Sequence, residues 1–135
     1  MLDCDPMARS GGAPPGRTSR PPLSDRAREL MAERFRALSE PTRLKILERL
    51  FSSPASVGEI LDAVGGTQAN VSKHLAVLRA GRLVSGRKEG NRTVYSISDP
   101  ALERLCAVVC DAVSRDVRAE ANAVAATQER RRRPA

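Results

Sequence analysis

Two cysteines late in the sequence could bind a metal ion. Cys106 and Cys110 are four residues apart, so on a helix their side chains lie on neighbouring turns of one face. Two thiolates at this spacing can chelate one soft ion, and Cys4 could supply the third sulfur of the trigonal coordination that As(III) or Sb(III) favours. Cd(II), Pb(II) and Hg(II) are second choices. The cysteines could instead pack as small hydrophobes, or respond to oxidants or persulfides.

Residues suited to enzyme catalysis are sparse in this chain. His74 is the single histidine, and it belongs to a different predicted element from each cysteine. The sequence has no Cys-x-x-Cys pair and no glycine-rich phosphate loop, so a thiol reductase or a Cys/His hydrolase is disfavoured. We therefore expect a protein that is not an enzyme.

The positive charge of the chain is concentrated in one region. The 135 residues carry 23 Lys and Arg against 16 Asp and Glu, a net charge of +7. Residues 65–98 hold six basic side chains and a single acid, a local charge of +5. This excess indicates phosphate binding, so we expect double-stranded DNA as the partner. The sequence shows no apolar run of membrane length and no signal peptide, which predicts a cytoplasmic protein without membrane contact.

The two ends of the chain predict tails around one domain. Residues 1–22 contain five prolines and three glycines, which predicts a disordered tail. Residues 129–135 include four consecutive arginines, which predicts a solvated basic tail. The segment between them, residues 23–128, has the length of one small domain.

Five helical patterns and one hairpin account for this domain. Each helix start has a side chain that can cap free backbone N–H groups or a proline in the first turn. These start signals are Ser24, the proline of Ser39-Glu40-Pro41, the capping box Ser56–Glu59, Thr67 and Asp99-Pro100. The expected stops are Gly65-Gly66, which form a tight turn, and Gly81, as a left-handed residue after the fourth helix. The last helix is expected from about residue 100 to the mid-120s.

After the fourth helix the apolar period changes to two. Leu83-Val84 and Thr93–Ile97 are predicted strands, joined through the basic segment Arg87–Arg92, whose Gly-Asn pair suits a hairpin turn. The apolar stripes of the first four helices predict a core of Ala27, Leu30, Met31, Phe35, Leu38, Leu44, Leu47, Leu50, Phe51, Ile60, Leu61, Val64, Val71, Leu75 and Leu78. The last helix carries a stripe of Leu102, Cys106, Val109, Val113 and Val117, which predicts contact with a second copy in a two-fold dimer.

Two short helices, a tight turn and a basic hairpin predict a winged helix-turn-helix. The expected fold is thus mainly α with a small β-hairpin, dimerising through its terminal helices. On the fourth helix Ser72 and Lys73 face outward and Gln68 stands at the exposed N-terminus. Gln can pair with adenine through two hydrogen bonds, whereas Lys73 is either a DNA contact or a solvated surface lysine. His74 lies at the edge of the apolar stripe, where it is structural or contacts DNA.

Two segments of the sequence resemble the ArsR/SmtB family of bacterial metal- and stress-responsive repressors. They are LSEPTRLKIL, from Leu38 to Leu47, and QANVSKHLAVLRAG, from Gln68 to Gly81, followed by the hairpin. The resemblance covers about residues 25–115 and implies a homodimeric repressor that releases its operator on sensing a ligand. By position it implies DNA contacts from Gln68, Ser72 and His74 in the recognition helix and from Arg87, Lys88 and Arg92 in the wing.

The same resemblance bears on the sensing site. Many members carry Cys-x-Cys at the third helix, where this chain has Ser56–Glu59, and the paired last-helix histidines of zinc sensors are absent. Arsenite-type sensors of the family use last-helix and N-terminal cysteines, which favours Cys106, Cys110 and Cys4 as ligands. We therefore expect an inverted-repeat operator that is released by As(III) or Sb(III). The alternative is a repressor of the same fold that responds to thiol oxidation or to no metal.

Overall fold

The computed structural model describes residues 20–134 and contains the predicted order of helices and hairpin. The helices are α1 (Asp25–Leu38), α2 (Pro41–Ser52), α3 (Val57–Val64), α4 (Gln68–Ala80) and α5 (Ala101–Arg132). The strands are β1 (Ala55–Ser56), β2 (Val84–Glu89) and β3 (Arg92–Ile97). The chain divides into one compact unit that runs to Leu102 and a second that begins at Glu103. Cys4 lies outside the described residues.

Each of the five helices has a capping side chain, and four of these are the side-chain caps that the sequence predicts. In each case an oxygen of the capping residue accepts a hydrogen bond from a backbone N–H of the first turn, which otherwise has no partner in the helix. The pairs are Ser24 with Ala27 (3.1 Å), Ser56 with Glu59 (3.3 Å), Thr67 with Asn70 (3.2 Å) and Asp99 with Ala101 (2.8 Å). These four helix starts are confirmed.

The sheet has three antiparallel strands in the order β1-β3-β2, one strand more than the sequence predicts. Residues Glu89 and Arg92 pair across a two-residue turn in which Gly90 has a φ of 60°. The predicted Gly-Asn turn at Gly90-Asn91 is confirmed, but the strands are longer than predicted, because β2 continues to Glu89 and β3 begins at Arg92. Two residues are too few to show an alternating pattern, so β1 has no periodic signal.

The C-terminal end of α4 differs from its predicted geometry. Gly81 has a φ of −76°, whereas the next residue, Arg82, is the left-handed one, with a φ of 58°. The Arg82 N–H donates to the Arg79 carbonyl at 3.0 Å, as in a helix end closed by a left-handed residue. Gly81 suits its position for a steric reason instead, since a Cβ there would lie 3.2 Å from the Ala37 Cβ on α1.

The core is formed by apolar side chains of α2, α3, α4, β1 and β2, together with Ala37 of α1, Leu83 before β2 and Leu102 at the start of α5. Its members are Ala37, Ile46, Leu47, Leu50, Ala55, Ile60, Val71, Leu75, Leu78, Leu83, Val84 and Leu102. The predicted stripe of α4 is confirmed. The core prediction is wrong for Met31, Phe35 and Leu44, each of which is 46–47% exposed because the surface they occupy is open in the single chain. Ile46, which the predicted stripe omits, is fully buried.

Helix α5 extends to Arg132, past the mid-120s where the sequence predicts its end. The segment 119–133 contains no Gly or Pro, and its Ala, Glu, Gln and Arg residues favour helix. The arginines of the last turn also lie at the negative end of the helix dipole. The predicted basic tail therefore starts inside the helix, and the boundary at residue 129 stays a prediction. Among residues 20–134, no helix combines the length and the apolar character that crossing a membrane requires.

Candidate nucleic-acid interface

The outward face of α4 is polar and exposed. Gln68, Ser72 and Lys73 are all solvent-exposed, as the sequence predicts. They stand opposite a buried row formed by Val71, Leu75 and Leu78. An exposed helix face of short and amide side chains, held by an apolar face on the core, can enter a DNA major groove and reach base edges.

The turn before α4 sets the angle between the two helices of the motif. Gly65 and Gly66 have φ values of 77° and 87°, in the region that side chains with a Cβ rarely adopt. The Gly65 N–H donates to the Leu61 carbonyl at 2.8 Å, which ends α3, and Thr67 then caps α4. The predicted tight glycine turn of a helix-turn-helix is confirmed.

His74 lies apart from this exposed face. Its side chain is only 13% exposed and is directed toward the start of α2. There its Nδ1 atom lies 3.4 Å from Nη1 of Arg43 and 3.8 Å from Oε2 of Glu40. The structure therefore places His74 between α2 and α4, away from Gln68, Ser72 and Lys73. A direct DNA contact by His74 stays a prediction that this position does not favour.

Glu40 lies beside His74 at the start of α2. Its carboxylate accepts the backbone N–H of Arg43 at 2.9 Å and so caps α2. This hydrogen bond from Arg43 is the main cause that holds the pKa of Glu40 below its ordinary value, with smaller help from Thr42 and His74. Glu40 is therefore an anion at neutral pH, close to the His74 ring.

The wing presents three cations with different surroundings. Arg87, Lys88 and Arg92 are exposed on β2 and β3. Arg87 forms a close ion pair with Glu89 on its own strand, and Arg92 lies 3.3 Å from Glu59 on α3. For Lys88 no ion pair is found within residues 20–134. DNA phosphates would therefore compete with carboxylates for the two arginines, but not for Lys88.

Glu59 contacts the wing, whereas the sequence predicts for it only a role in the capping box of α3. Its carboxylate accepts the Ser56 hydroxyl at 3.0 Å and also lies 3.6 Å from Nη2 of Arg49. The hydrogen bonds from Ser56 are the main cause that lowers the pKa of Glu59, and Arg92 and Arg49 add to the effect. The capping-box spacing identifies Glu59 in the sequence, but its contact with the wing depends on the packing of α3 against β3.

The cysteines of α5 lie on one side of the helix. Cys106 carries a free thiol and is half-buried, and Cys110, one turn further, is also half-buried. Burial raises the pKa of the Cys106 thiol, so this side chain is protonated at neutral pH. Across residues 20–134, no group of three or more His, Cys, Asp or Glu side chains is arranged to hold a metal ion. A complete ligand set would therefore need Cys4, a partner subunit or a ligand from solution.

This fold and this surface define a winged helix-turn-helix regulator of transcription. Residues 40–85 match the family described as bacterial regulatory protein, arsR family. The Mycobacterium tuberculosis (strain ATCC 25618 / H37Rv) protein named uncharacterized HTH-type transcriptional regulator Rv0081 is 41% identical over 88 residues, which are 64% of this chain and 77% of that protein. The chain belongs to the ArsR/SmtB family of transcriptional regulators, which are not enzymes.

Solved structures agree with this assignment. The crystal structure of M. tuberculosis Rv0081 matches with a TM-score of 0.64 and 37% identity, covering 73% of this chain and 99% of that one. The homodimeric winged helix-turn-helix domain (fragment 1–100) of Mb0332 from Mycobacterium bovis matches with a TM-score of 0.63 and 32% identity, over 70% and 91% of the two chains. A probable mercury resistance operon repressor of Streptomyces lividans is 38% identical over 71 residues, 53% of this chain and 57% of that protein.

Proposed function

We propose that this protein is a cytoplasmic, homodimeric repressor that binds an inverted-repeat operator and releases it when a thiophilic ion binds cysteine thiolates. The observation that carries the proposal is the exposed polar face of α4, whose opposite face is buried in the core. The exposed basic residues of the wing follow α4 in the chain. The proposed protein-DNA contacts are Gln68, Ser72 and Lys73 with base edges and backbone, and Arg87, Lys88 and Arg92 with flanking phosphates. The domain itself is proposed to span residues 23–128.

Exposed apolar side chains support the homodimer. Met31 and Phe35 on α1 and Val109, Val113 and Val117 on α5 are all about half exposed in the single chain. Exposed apolar side chains at helical spacing, on each of these two helices, are typical of a protein interface. The homodimeric Mb0332 domain adds support from a related structure. In a two-fold dimer, two copies of α4 would read two half-sites about one DNA turn apart.

The inducer is proposed to be As(III) or Sb(III), with Cd(II), Pb(II) and Hg(II) as second candidates. Cys106 and Cys110 are one helical turn apart on α5, and soft ions select thiolates over oxygen and nitrogen ligands. The related Streptomyces repressor is named for mercury resistance, which fits a soft ion. Cys4 is the proposed third ligand. An ion that binds the dimer helix and favours the DNA-free state needs only a few kcal/mol of differential affinity to release the operator.

Selection from a random duplex library followed by fluorescence anisotropy tests the DNA-binding part. The wild type should enrich an imperfect inverted repeat, and Gln68→Ala and Ser72→Ala should each reduce its preference for that repeat by about 1–3 kcal/mol. A control change on the same helix, Ala80→Ser, is near the end of α4 and should leave the preference unchanged. A wild type that enriches no sequence would contradict the proposal.

Operator release by arsenite or antimonite, measured with the cysteines kept reduced, tests the sensing part. Cys106→Ser and Cys110→Ser should bind the operator normally and lose the release, whereas Cys4→Ser should weaken it. Ala107→Ser is the matched control, because it adds a hydroxyl on the same turn of α5 and removes no thiol. Normal release by the double Cys106/Cys110 variant would exclude this site. Release by peroxide and not by any soft ion would favour the redox alternative.

A further inference from the structure

We infer that Arg43 and His74 are positioning residues, which fix the rotation of α4 about its axis and thereby the discrimination between operator and other DNA. Neither residue needs to touch DNA for this role. The inference rests on the proposed operator binding, and it gives His74 a different role from the DNA contact that the family resemblance implies.

The Arg43 side chain connects three helices. Its Nε atom donates to the Ala37 carbonyl at 2.6 Å and its Nη2 atom to the Arg36 carbonyl at 3.3 Å. Both carbonyls belong to the last turn of α1, where backbone acceptors have no partner within the helix. The Arg36 carbonyl also accepts hydrogen bonds from the N–H and the hydroxyl of Ser39. The third nitrogen of the guanidinium, Nη1, lies 3.4 Å from Nδ1 of His74 on α4. A residue of α2 therefore ties the end of α1 to the middle of α4.

The His74 contact has a defined chemical polarity. A guanidinium has five donors and no acceptor, so Nδ1 of His74 must be the acceptor in this contact. The contact therefore requires an Nδ1 atom that carries no proton. Glu40, whose carboxylate lies 3.8 Å from Nδ1, is beyond hydrogen-bonding distance and does not replace Arg43. An acceptor at the Nδ1 position is thus the feature of His74 that the contact requires.

Rotation of α4 is the quantity that this contact constrains. Val71, Leu75 and Leu78 hold the helix on the core, but apolar burial is not directional and tolerates small rotations. A polar contact at the edge of that stripe is directional. The side-chain ends of a helix lie about 5–6 Å from its axis, so a rotation of about 10° moves them by about 1 Å. Base contacts by Gln68 and Ser72 need positions held to about 0.5 Å.

A second contact with α1 fixes the other end of α4. Gly81, directly after α4, lies so close to α1 that a Cβ there would be 3.2 Å from the Ala37 Cβ. Ala37 thus contacts Arg43 through its carbonyl and limits the space at Gly81 through its side chain. The Arg43–His74 contact therefore adds a polar constraint at the middle of α4, beside its buried apolar row and the close approach at Gly81.

The test measures affinity for two duplexes of equal length, the one enriched by the wild type and one of random sequence. His74→Leu and Arg43→Met should each lower the affinity for the enriched duplex by about tenfold and leave the affinity for random DNA within about twofold. His74→Asn should retain wild-type preference, because its side-chain oxygen can occupy the Nδ1 position. Lys45→Met is the charge-matched control on α2, and it should retain the preference.

The double variant distinguishes positioning from direct contact. If both residues act through one contact, Arg43→Met/His74→Leu should lose no more than about tenfold, because the two effects are not additive. A loss of about a hundredfold, or a loss in His74→Leu with none in Arg43→Met, would overturn the inference in favour of a direct DNA contact. Equal losses on both duplexes would also overturn it, since they indicate a general structural role.

The folding of each variant and the sequence preference of the wild type are measured as well. Circular dichroism and urea unfolding should show each variant folded, and if Arg43→Met is not, Arg43→Lys replaces it, since an ammonium lacks the planar fork that reaches all three groups. A wild type with no sequence preference would contradict the proposed function, and the inference would fail with it. Preserved preference in a folded His74→Leu would contradict the inference alone.

Discussion

The Nη1 atom of Arg92 lies 3.3 Å from the Oε1 atom of Glu59, so a strand of the wing is joined to α3 by an ion pair. The same carboxylate accepts the Ser56 hydroxyl and lies near Arg49. Glu59 therefore holds a proposed phosphate-binding cation in place and, as an anion, opposes DNA phosphates at that position. The affinity of the wing for DNA depends on both effects.

Replacing Glu59 by Gln should strengthen binding to all duplexes. The change removes an anion and frees Arg92, while Gln keeps the capping function at this position of α3. We expect a roughly three- to tenfold higher affinity and a salt slope steeper by up to about one unit. Titrations of a random duplex at several salt concentrations measure both. Glu120→Gln, which changes the net charge equally on α5, should have little effect, and equal gains in the two variants would exclude a local role for Glu59.

The wing cations should differ in their contributions. Lys88→Ala should weaken binding to enriched and random duplexes alike and reduce the salt slope by about one unit. Arg87→Ala should have a smaller effect, because Arg87 is already paired with Glu89 and its release from that pair offsets part of any gain from phosphate. A change in sequence preference, measured as the ratio of the two affinities, would show that the wing reads bases.

Inducer binding should depend on pH. Burial raises the pKa of Cys106, so below that pKa an ion must displace a proton to bind the thiolate. The affinity for Cd(II), followed by its thiolate charge-transfer absorbance, should therefore rise with pH by up to about tenfold per unit for each proton displaced. In Cys106→Ser the pH dependence should be shallower. The range from pH 6 to pH 8 lies below the ordinary thiol pKa of about 8.5. An affinity for Cd(II) that is constant over this range would argue against Cys106 as a ligand.

Two glycines should respond oppositely to alanine. Gly81→Ala should lower the free energy of unfolding by about 1–3 kcal/mol, because the new Cβ would lie 3.2 Å from the Ala37 Cβ in a buried contact. Gly58→Ala meets only the Ser56 hydroxyl at 4.0 Å on a helical backbone and should raise stability by about 0.5–1 kcal/mol. Urea unfolding measures both changes. A stabilising Gly81→Ala would mean that α1 and α4 can separate without cost.

The sequence predicts those parts of the structure that depend on local signals. Helix starts at Ser24 and Thr67 follow from side chains that cap the residues directly after them, and the Gly65-Gly66 turn follows from backbone freedom. The exposed face of α4 follows from helical periodicity. Each of these signals lies within a few residues of the feature that it specifies.

Features that depend on packing between distant segments could not be predicted in this way. The inward position of His74 depends on Arg43, and the pairing of Arg92 depends on Glu59, both more than thirty residues away. The close approach of Gly81 to Ala37 on α1 and the left-handed conformation of Arg82 are likewise not specified by the glycine's position in the sequence. The open apolar face at Met31 and Phe35 has the same periodicity as a buried one, so periodicity alone cannot tell an interface from a core.

The two-residue strand β1 also affects the order of folding. Ala55 pairs with Tyr95, so this pairing encloses α3, α4 and β2 in one long loop. Closing a loop costs conformational entropy that grows with the logarithm of its length, whereas the hairpin β2–β3 closes through two residues. We therefore expect the hairpin and helices to form first and β1 to join last. The complete three-stranded sheet would then be the slowest element to form, after the β2–β3 hairpin that carries the wing cations.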